Sequence, residues 1–257
     1  MRKLKQLTLT VLILISFSSV VNAETFLLEP DIFVGFSFWT VSMVCLAATV
    51  FFFLERRSVP TNWRLPITVA VLISGISFVH YIYLRQVVVT LGGADTLILY
   101  RYIDWMVTAP LLILQFYFIL SAVRKTPNII FWKLLTASLV MVIAGYMSEA
   151  DYSSGVFCFI IFMIGWIYIL YEIYSGDTGK MAAKSGNKPF ITAYNSMRMI
   201  VTLGWAIYPL STILIYLTGS IDNETLNILY NVADILNKIV FCLIIWSAAM
   251  KQSGRVK

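Results

Sequence analysis

Charge is what this sequence has least of. Only 12% of its 257 residues are Asp, Glu, Lys or Arg, while 60% are hydrophobic. A soluble domain carries about 25% charged residues, so the composition excludes a solvated globular protein and makes this a membrane protein. Histidine is nearly absent. The one copy, His80, rules out a histidine-rich metal centre. The three cysteines, Cys45, Cys158 and Cys242, lie singly inside apolar runs with no CxxC spacing. They read as small buried or lipid-facing residues rather than disulfides or metal ligands. No GxSxG, HExxH or comparable constellation is present, so the sequence does not read as an enzyme.

What is there is organised by long apolar runs. Residues 1–23 have the pattern of a secretory signal: Arg2, Lys3 and Lys5, then an apolar stretch from Leu7 to Val21, then the small-residue site Val21-Asn22-Ala23. Its removal leaves residues 24–257 as the mature membrane domain. Seven apolar runs come next, at 31–54, 65–85, 96–121, 129–148, 154–174, 192–217 and 225–250. Each reaches the length of about 20 residues that crosses a bilayer as a helix. The connections between them are short, so the fold class is an all-α integral membrane protein, a seven-transmembrane-helix bundle.

Lys and Arg set its orientation. With the mature N-terminus outside, Arg56, Arg57, Arg64, Arg124, Lys125 and the lysines from Lys180 to Lys188 fall on the inner side. Arg85 is then the one basic residue in the outer loops. By the positive-inside rule the chain is N-out and C-in. The net charge of +6 is thereby assigned to topology, and no nucleic-acid face is needed to explain it.

Four formal charges remain inside the spans: Arg101, Asp104, Asp234 and Lys238. They sum to zero. An intramembrane ionisable residue is costly, about 3 kcal/mol on insertion scales, and is by default a functional hypothesis. Asp234 and Lys238 are four residues apart, on one face of the last span. Arg101, Asp104, Thr108 and Gln115 form a stripe along the third span, with Gln115 roughly 16 Å from Asp104 by helical rise. Such charges are tolerated when they face the interior and pair. A lysine can also lose its fixed charge by forming a Schiff base with an aldehyde. Taken singly, Thr108 fits a bond to its own helix and Gln115 a bridge between helices. Trp105, Trp166, Trp205 and Tyr208 gather near the same level, the last two just before Pro209. They suit a slot for a long, flat, apolar ligand. Trp39, Trp63 and Trp132 read instead as interfacial belt residues.

These residues match a family. Arg101-Tyr102-Ile103-Asp104-Trp105, with Thr108, Pro110, Leu111 and Leu112, resembles the third helix of microbial rhodopsins, most closely proteorhodopsins. Gly204-Trp205-Ala206-Ile207-Tyr208-Pro209 is similar to their sixth helix, and Tyr230-Asn231-Val232-Ala233-Asp234 through Lys238 to their seventh. The resemblance covers essentially the whole mature chain in the right order. It implies all-trans retinal bound to Lys238 as a protonated Schiff base and a light-driven outward proton pump in the bacterial inner membrane. It implies Asp104 as counterion and proton acceptor, Asp234 as second counterion and Arg101 on the exit side. His80 is expected to bond the acceptor carboxylate. Trp105, Thr108, Leu112, Met141, Trp166, Trp205, Tyr208 and Pro209 are expected to line the pocket, with Leu112 at the colour-tuning position and favouring green absorption. The expected partners are lipid, protons and, by analogy, further copies in a pentameric or hexameric ring. A carotenoid antenna is left open.

Gln115 departs from the pattern. Pumping relatives usually carry a carboxylate there, which returns a proton to the Schiff base, and a glutamine amide neither holds nor releases a proton near neutral pH. The triplet Asp104, Thr108, Gln115 also argues against a chloride or a sodium pump. Slow, pH-dependent reprotonation is therefore expected. Three explanations stay open: a slow pump, a photosensor that signals through a partner, and a deliberate Glu→Gln replacement in a pump.

Overall fold

A chain with 20 or more apolar residues in a row has no water for its peptide groups in a bilayer, so each run must satisfy its hydrogen bonds internally as a helix. The computed structural model describes residues 33–91, 97–150, 154–218 and 223–254. The expected signal segment lies outside these. Seven spans are long and apolar enough to cross a membrane, and there is no strand among the described residues. Five begin as continuous helices: α1 (Phe33–Glu55), α2 (Arg64–Leu91), α3 (Leu97–Val123), α4 (Asn128–Glu149) and α5 (Gly155–Tyr174). A short helix, α6 (Asp177–Ala183), prolongs the fifth span. The sixth span is composite: α7 (Lys188–Met199), a π-helical turn (Ile200–Gly204) and α8 (Ile207–Thr218). The seventh repeats that plan with α9 (Asn223–Asp234), a π-helical turn (Ile235–Val240) and α10 (Phe241–Gln252).

The sequence sets most of these ends. Pro127 precedes α4 in extended conformation. Asn187 caps α7, its side-chain oxygen accepting from the Phe190 N–H at 3.1 Å, with Pro189 in the first turn, where its missing N–H leaves nothing unsatisfied. The sixth span therefore starts at Lys188, four residues before the apolar run does. Consecutive helices pack as neighbours, α1 on α2, α2 on α3, α3 on α4 and α4 on α5, and α10 lies against α7. Small residues set the closest approaches, as in other membrane bundles. A Cβ on Gly165 would stand 2.9 Å from the Met141 Cβ, and one on Gly145 would stand 3.0 Å from the Tyr102 hydroxyl.

Two details differ from expectation. Trp63 is no belt residue: it is fully buried and donates its indole N–H to Gln252 Oε1 at 3.0 Å. The other is the pair of π-helical turns, which sequence periodicity does not reveal. In the sixth span the Trp205 N–H bonds the carbonyl of Ile200, five residues back, at 3.2 Å. Four residues later Pro209 lacks an N–H, so the regular ladder is interrupted again. Such turns concentrate at functional sites. Here the two meet. Asn237, in the second turn, donates to the Gly204 carbonyl at 3.1 Å, in the first.

This contact requires glycine. A Cβ at position 204 would lie 2.0 Å from Asn237 Oδ1, so Gly204→Ala must displace the Asn237 amide. It is expected to lower stability by about 1–3 kcal/mol, read as a drop in the thermal unfolding midpoint of detergent-solubilised protein.

Candidate functional site

The seventh span carries a polar stripe through an apolar helix: Asn227, Asn231, Asp234 and Lys238, spaced at i, i+4, i+7 and i+11. Its position facing α2 and α3 gathers the intramembrane charges at one point. Lys238 is 3% exposed. Its Nζ donates to Asp104 Oδ2 across the bundle and to Asp234 Oδ2 one turn back on its own span at 2.7 Å. The two carboxylates are each saturated further. Asp234 accepts from the Tyr81 hydroxyl and the Tyr208 hydroxyl, each at 2.7 Å. Asp104 accepts from the Ser77 hydroxyl at 3.1 Å. A buried ion pair without such extra bonds does not repay its desolvation. Here the centre, one ammonium and two carboxylates, keeps a formal charge of −1.

Arg101 corrects one expectation. It is 1% exposed but makes no ion pair with a carboxylate among the described residues. Its guanidinium donates to Asn231 Oδ1 at 2.7 Å and to Asn227 Oδ1 at 2.9 Å. Its charge is also faced by the rings of Phe38 at 5.1 Å and Tyr230 at 5.5 Å. It reaches the carboxylates through one intermediary. Arg101 Nη1 donates to the Tyr81 oxygen at 3.3 Å, and Tyr81 donates onward to Asp234. The third-span stripe thus holds Arg101 and Asp104 in separate polar environments joined by Tyr81.

His80 is a second correction. It makes no hydrogen bond to Asp104, and its Nε2 is buried without a partner. The reason is the register of α2. Ser77 and Tyr81 are four residues apart and share the face that meets the carboxylates, whereas His80 is turned about 100° from Tyr81. Its ring lies instead beside Tyr83, with centroids 6.2 Å apart. Thr108 donates to the Asp104 backbone carbonyl at 3.0 Å, the bond to its own helix that threonine usually makes. Gln115 is fully buried, with its amide nitrogen donating to the Pro66 carbonyl at 2.9 Å and its oxygen unpartnered.

From Lys238 a cavity runs between the third to seventh spans. Its walls include Trp105, Leu112, Met141, Trp166, Trp205 and Tyr208, all expected, with Thr108 beside the charged end. Pro209 is buried but is not part of the wall. Trp166 is fixed by an indole N–H bond to the Val201 carbonyl at 3.1 Å, and Trp105 and Tyr208 meet edge to face at 4.9 Å. The sequence reading missed Ser77, Tyr81, Asn227 and Asn231. All four are uncharged, and the one available signal was their helical spacing to one another and to Asp234.

A bundle of seven membrane spans, with a lysine held between two carboxylates at the end of an aromatic cavity, defines an integral membrane protein built to hold a cationic nitrogen next to an elongated apolar slot. Residues 33–252 match the model of the bacteriorhodopsin-like protein family, and the chain belongs to that family. It is 42% identical to the green-light absorbing proteorhodopsin of Gamma-proteobacterium EBAC31A08, over 94% of this chain and 98% of that one. It is 47% identical to the blue-light absorbing proteorhodopsin of Gamma-proteobacterium Hot 75m4, over 86% of this chain and 88% of that one. The crystal structure of blue light-absorbing proteorhodopsin from Med12 superposes with a TM-score of 0.72 at 44% identity, covering 86% of this chain and all of the other.

Among the described residues, Tyr81 is the one hydroxyl bonded to both Arg101 and a carboxylate. Tyr81→Phe keeps the ring and leaves Asp234 and Arg101 each short of a bond. A destabilisation of about 1–3 kcal/mol is expected, measurable as a lowered thermal midpoint.

Proposed function

We propose that this protein is a light-driven proton pump of the bacterial inner membrane, with retinal as its chromophore on Lys238 and transport directed outward. One observation carries the reading: the Lys238 amine stands between Asp104 and Asp234 and lines a cavity walled by aromatic rings. The fit is chemical as well as spatial. A polyene aldehyde needs an amine to join, an apolar slot of a few hundred Å³, and anions beside the nitrogen that becomes cationic. Lys238 would hold the aldehyde end, and Trp105, Trp166, Trp205 and Tyr208 would flank the chain. Bound there, retinal supplies light absorption and a photoisomerisation that turns the proton on the Lys238 nitrogen.

The residues supply the direction. Asp104 faces that nitrogen on the Arg101 side and is the acceptor of its proton. Asp234, held by two tyrosine hydroxyls, keeps a fixed negative charge in place while Asp104 is neutralised. Arg101 sits beyond, towards the end that the Lys/Arg bias places outside. On the opposite side the position of the returning donor is Gln115, buried and bonded to Pro66. Its amide does not titrate near neutral pH, so the returning proton comes from inner water and the cycle is slow. A slow cycle also suits a photosensor, and the transport measurement separates the two readings. Leu112, on the cavity wall, favours green absorption.

Protein supplied with retinal is expected to absorb visible light, and Lys238→Ala to be colourless under the same conditions. Illuminated vesicles or cells should acidify the outer medium, with the signal abolished by an uncoupler. Colour without any acidification would refute the pump and favour the sensor.

Flash photolysis tests Gln115. Recovery of the dark spectrum should slow as pH rises, in proportion to proton concentration, and Gln115→Glu should accelerate it and remove most of that dependence. Millisecond recovery independent of pH in the unaltered protein would show that a donor other than Gln115 is at work.

A further inference from the structure

Serines and threonines within membrane helices usually bond the carbonyl one turn back. Ser74 does so, its hydroxyl donating to Ala70 O at 2.8 Å. Thr49, Thr68, Thr108, Thr202 and Ser211 do the same with their own helices. Ser77 is different. It is fully buried, and its hydroxyl crosses from α2 to α3 to donate to Asp104 Oδ1 at 3.1 Å. Asp104 Oδ2 is taken by Lys238. Each acceptor oxygen thus has its own donor, and His80, the side chain expected to serve Asp104, is left with an unpartnered Nε2.

We propose that Ser77 is the positioning residue of the proton acceptor: its hydroxyl fixes the rotamer of Asp104 so that Oδ2 meets the Lys238 nitrogen, and it stabilises the carboxylate form. This rests on the function proposed above and adds a residue to it. The chemistry is local and balanced. When the proton moves from the Lys238 nitrogen to Asp104 Oδ2, Oδ1 becomes the carbonyl oxygen of the acid and continues to accept from Ser77. The hydroxyl therefore accompanies the transfer without itself giving up a proton. A hydrogen bond to the charged form favours that form, and removing the Ser77 hydroxyl removes that bond. The titratable groups that face Asp104 are Lys238 from the seventh span, Tyr81 and His80 from α2 and Cys45 from α1, with Asp234 and Arg101 one contact further, bonded to Lys238 and Tyr81. Among the described residues, only Lys238 and Ser77 donate hydrogen bonds to its side chain.

The test is a pH titration of the visible spectrum of the retinal-bound protein, with variants at both candidate partners. Neutralising Asp104 removes an anion from beside the cationic nitrogen and moves the absorption to longer wavelength, so the midpoint of that shift reports the acceptor. Ser77→Ala is expected to raise the midpoint by about one pH unit and to slow proton transfer after a flash, and to do so by more than His80→Gln, which removes no hydrogen bond to Asp104. Ser77→Thr, which keeps the hydroxyl, should restore it. Should Ser77→Ala fail to take up retinal, Ser77→Cys, a weaker donor, must move the midpoint upward by a smaller amount. An unmoved midpoint in the serine variants, or a shift confined to the histidine variant, overturns the assignment. An unaltered protein that stays colourless refutes the retinal reading instead.

Discussion

Everything in this bundle depends on keeping one ammonium group dry. Lys238 lies near the middle of a membrane span and is buried, so bulk water does not solvate its charge. Two carboxylates therefore come to it, one from across the bundle and one from its own helix. Those carboxylates are themselves expensive, and they recruit Ser77, Tyr81 and Tyr208. Tyr81 in turn brings Arg101, which needs Asn227 and Asn231. Asn231 then ties the cluster to α1 through Ser37 at 2.8 Å. Each polar group is satisfied by the next, as a low-dielectric interior demands. At α1 the series ends on backbone, where the Ser37 hydroxyl donates to Val34 O at 2.7 Å.

The backbone around Lys238 is adapted to the same end. The two π-helical turns fall at Ile200–Gly204 and Ile235–Val240, one beside the cavity wall and one carrying the lysine. A π-helical turn inserts a residue into the helix and shifts the angular register of the residues after it. In the seventh span this lets Asp234 and Lys238 share the buried face while Asn237 turns to the sixth span. There it bonds both Gly204 O and the Tyr208 hydroxyl, at 3.1 and 3.2 Å. Tyr208 passes that constraint on, because the same hydroxyl donates to Asp234. The wall of the cavity and Asp234 are therefore coupled through a single phenol.

How much of this was legible depended on the kind of residue. Asp104, Asp234 and Lys238 were readable because a charge inside an apolar run is rare and needs a reason. Seven spans were readable because span length is dictated by bilayer thickness. Leu112, Met141 and the tryptophans were placed by resemblance, and the cavity wall holds them. Ser77 and Tyr81 were not singled out as carboxylate partners, because a hydroxyl in a membrane helix is ordinary and its direction is set by helix rotation. The π-helical turns were invisible for a related reason. They rest on one contact between Asn237 and Gly204, 33 residues apart in sequence, and no local propensity encodes it. His80 shows the reverse error. Resemblance to the family implied a bond to the acceptor carboxylate, but the α2 side chain that bonds Asp104 is Ser77.

The two halves of the bundle differ in how they treat a proton. On the Arg101 side, polar side chains run in an unbroken hydrogen-bonded series from Lys238 through Asp234 and Tyr81 to Arg101 and the two asparagines. Beyond the Lys238–Asp234 ion pair, each bond in it involves a tyrosine hydroxyl or an asparagine amide. On the Gln115 side, the third span contributes Leu112, Ile113, Leu114 and Phe116, all buried, and one glutamine whose amide nitrogen is committed to the Pro66 carbonyl. An uncharged amide in an apolar wall avoids the desolvation penalty that a carboxylate would incur there, so that side is easier to keep closed and dry. On that side the third span's polar side chain is thus held by a backbone carbonyl, while on the Arg101 side the polar side chains hold one another.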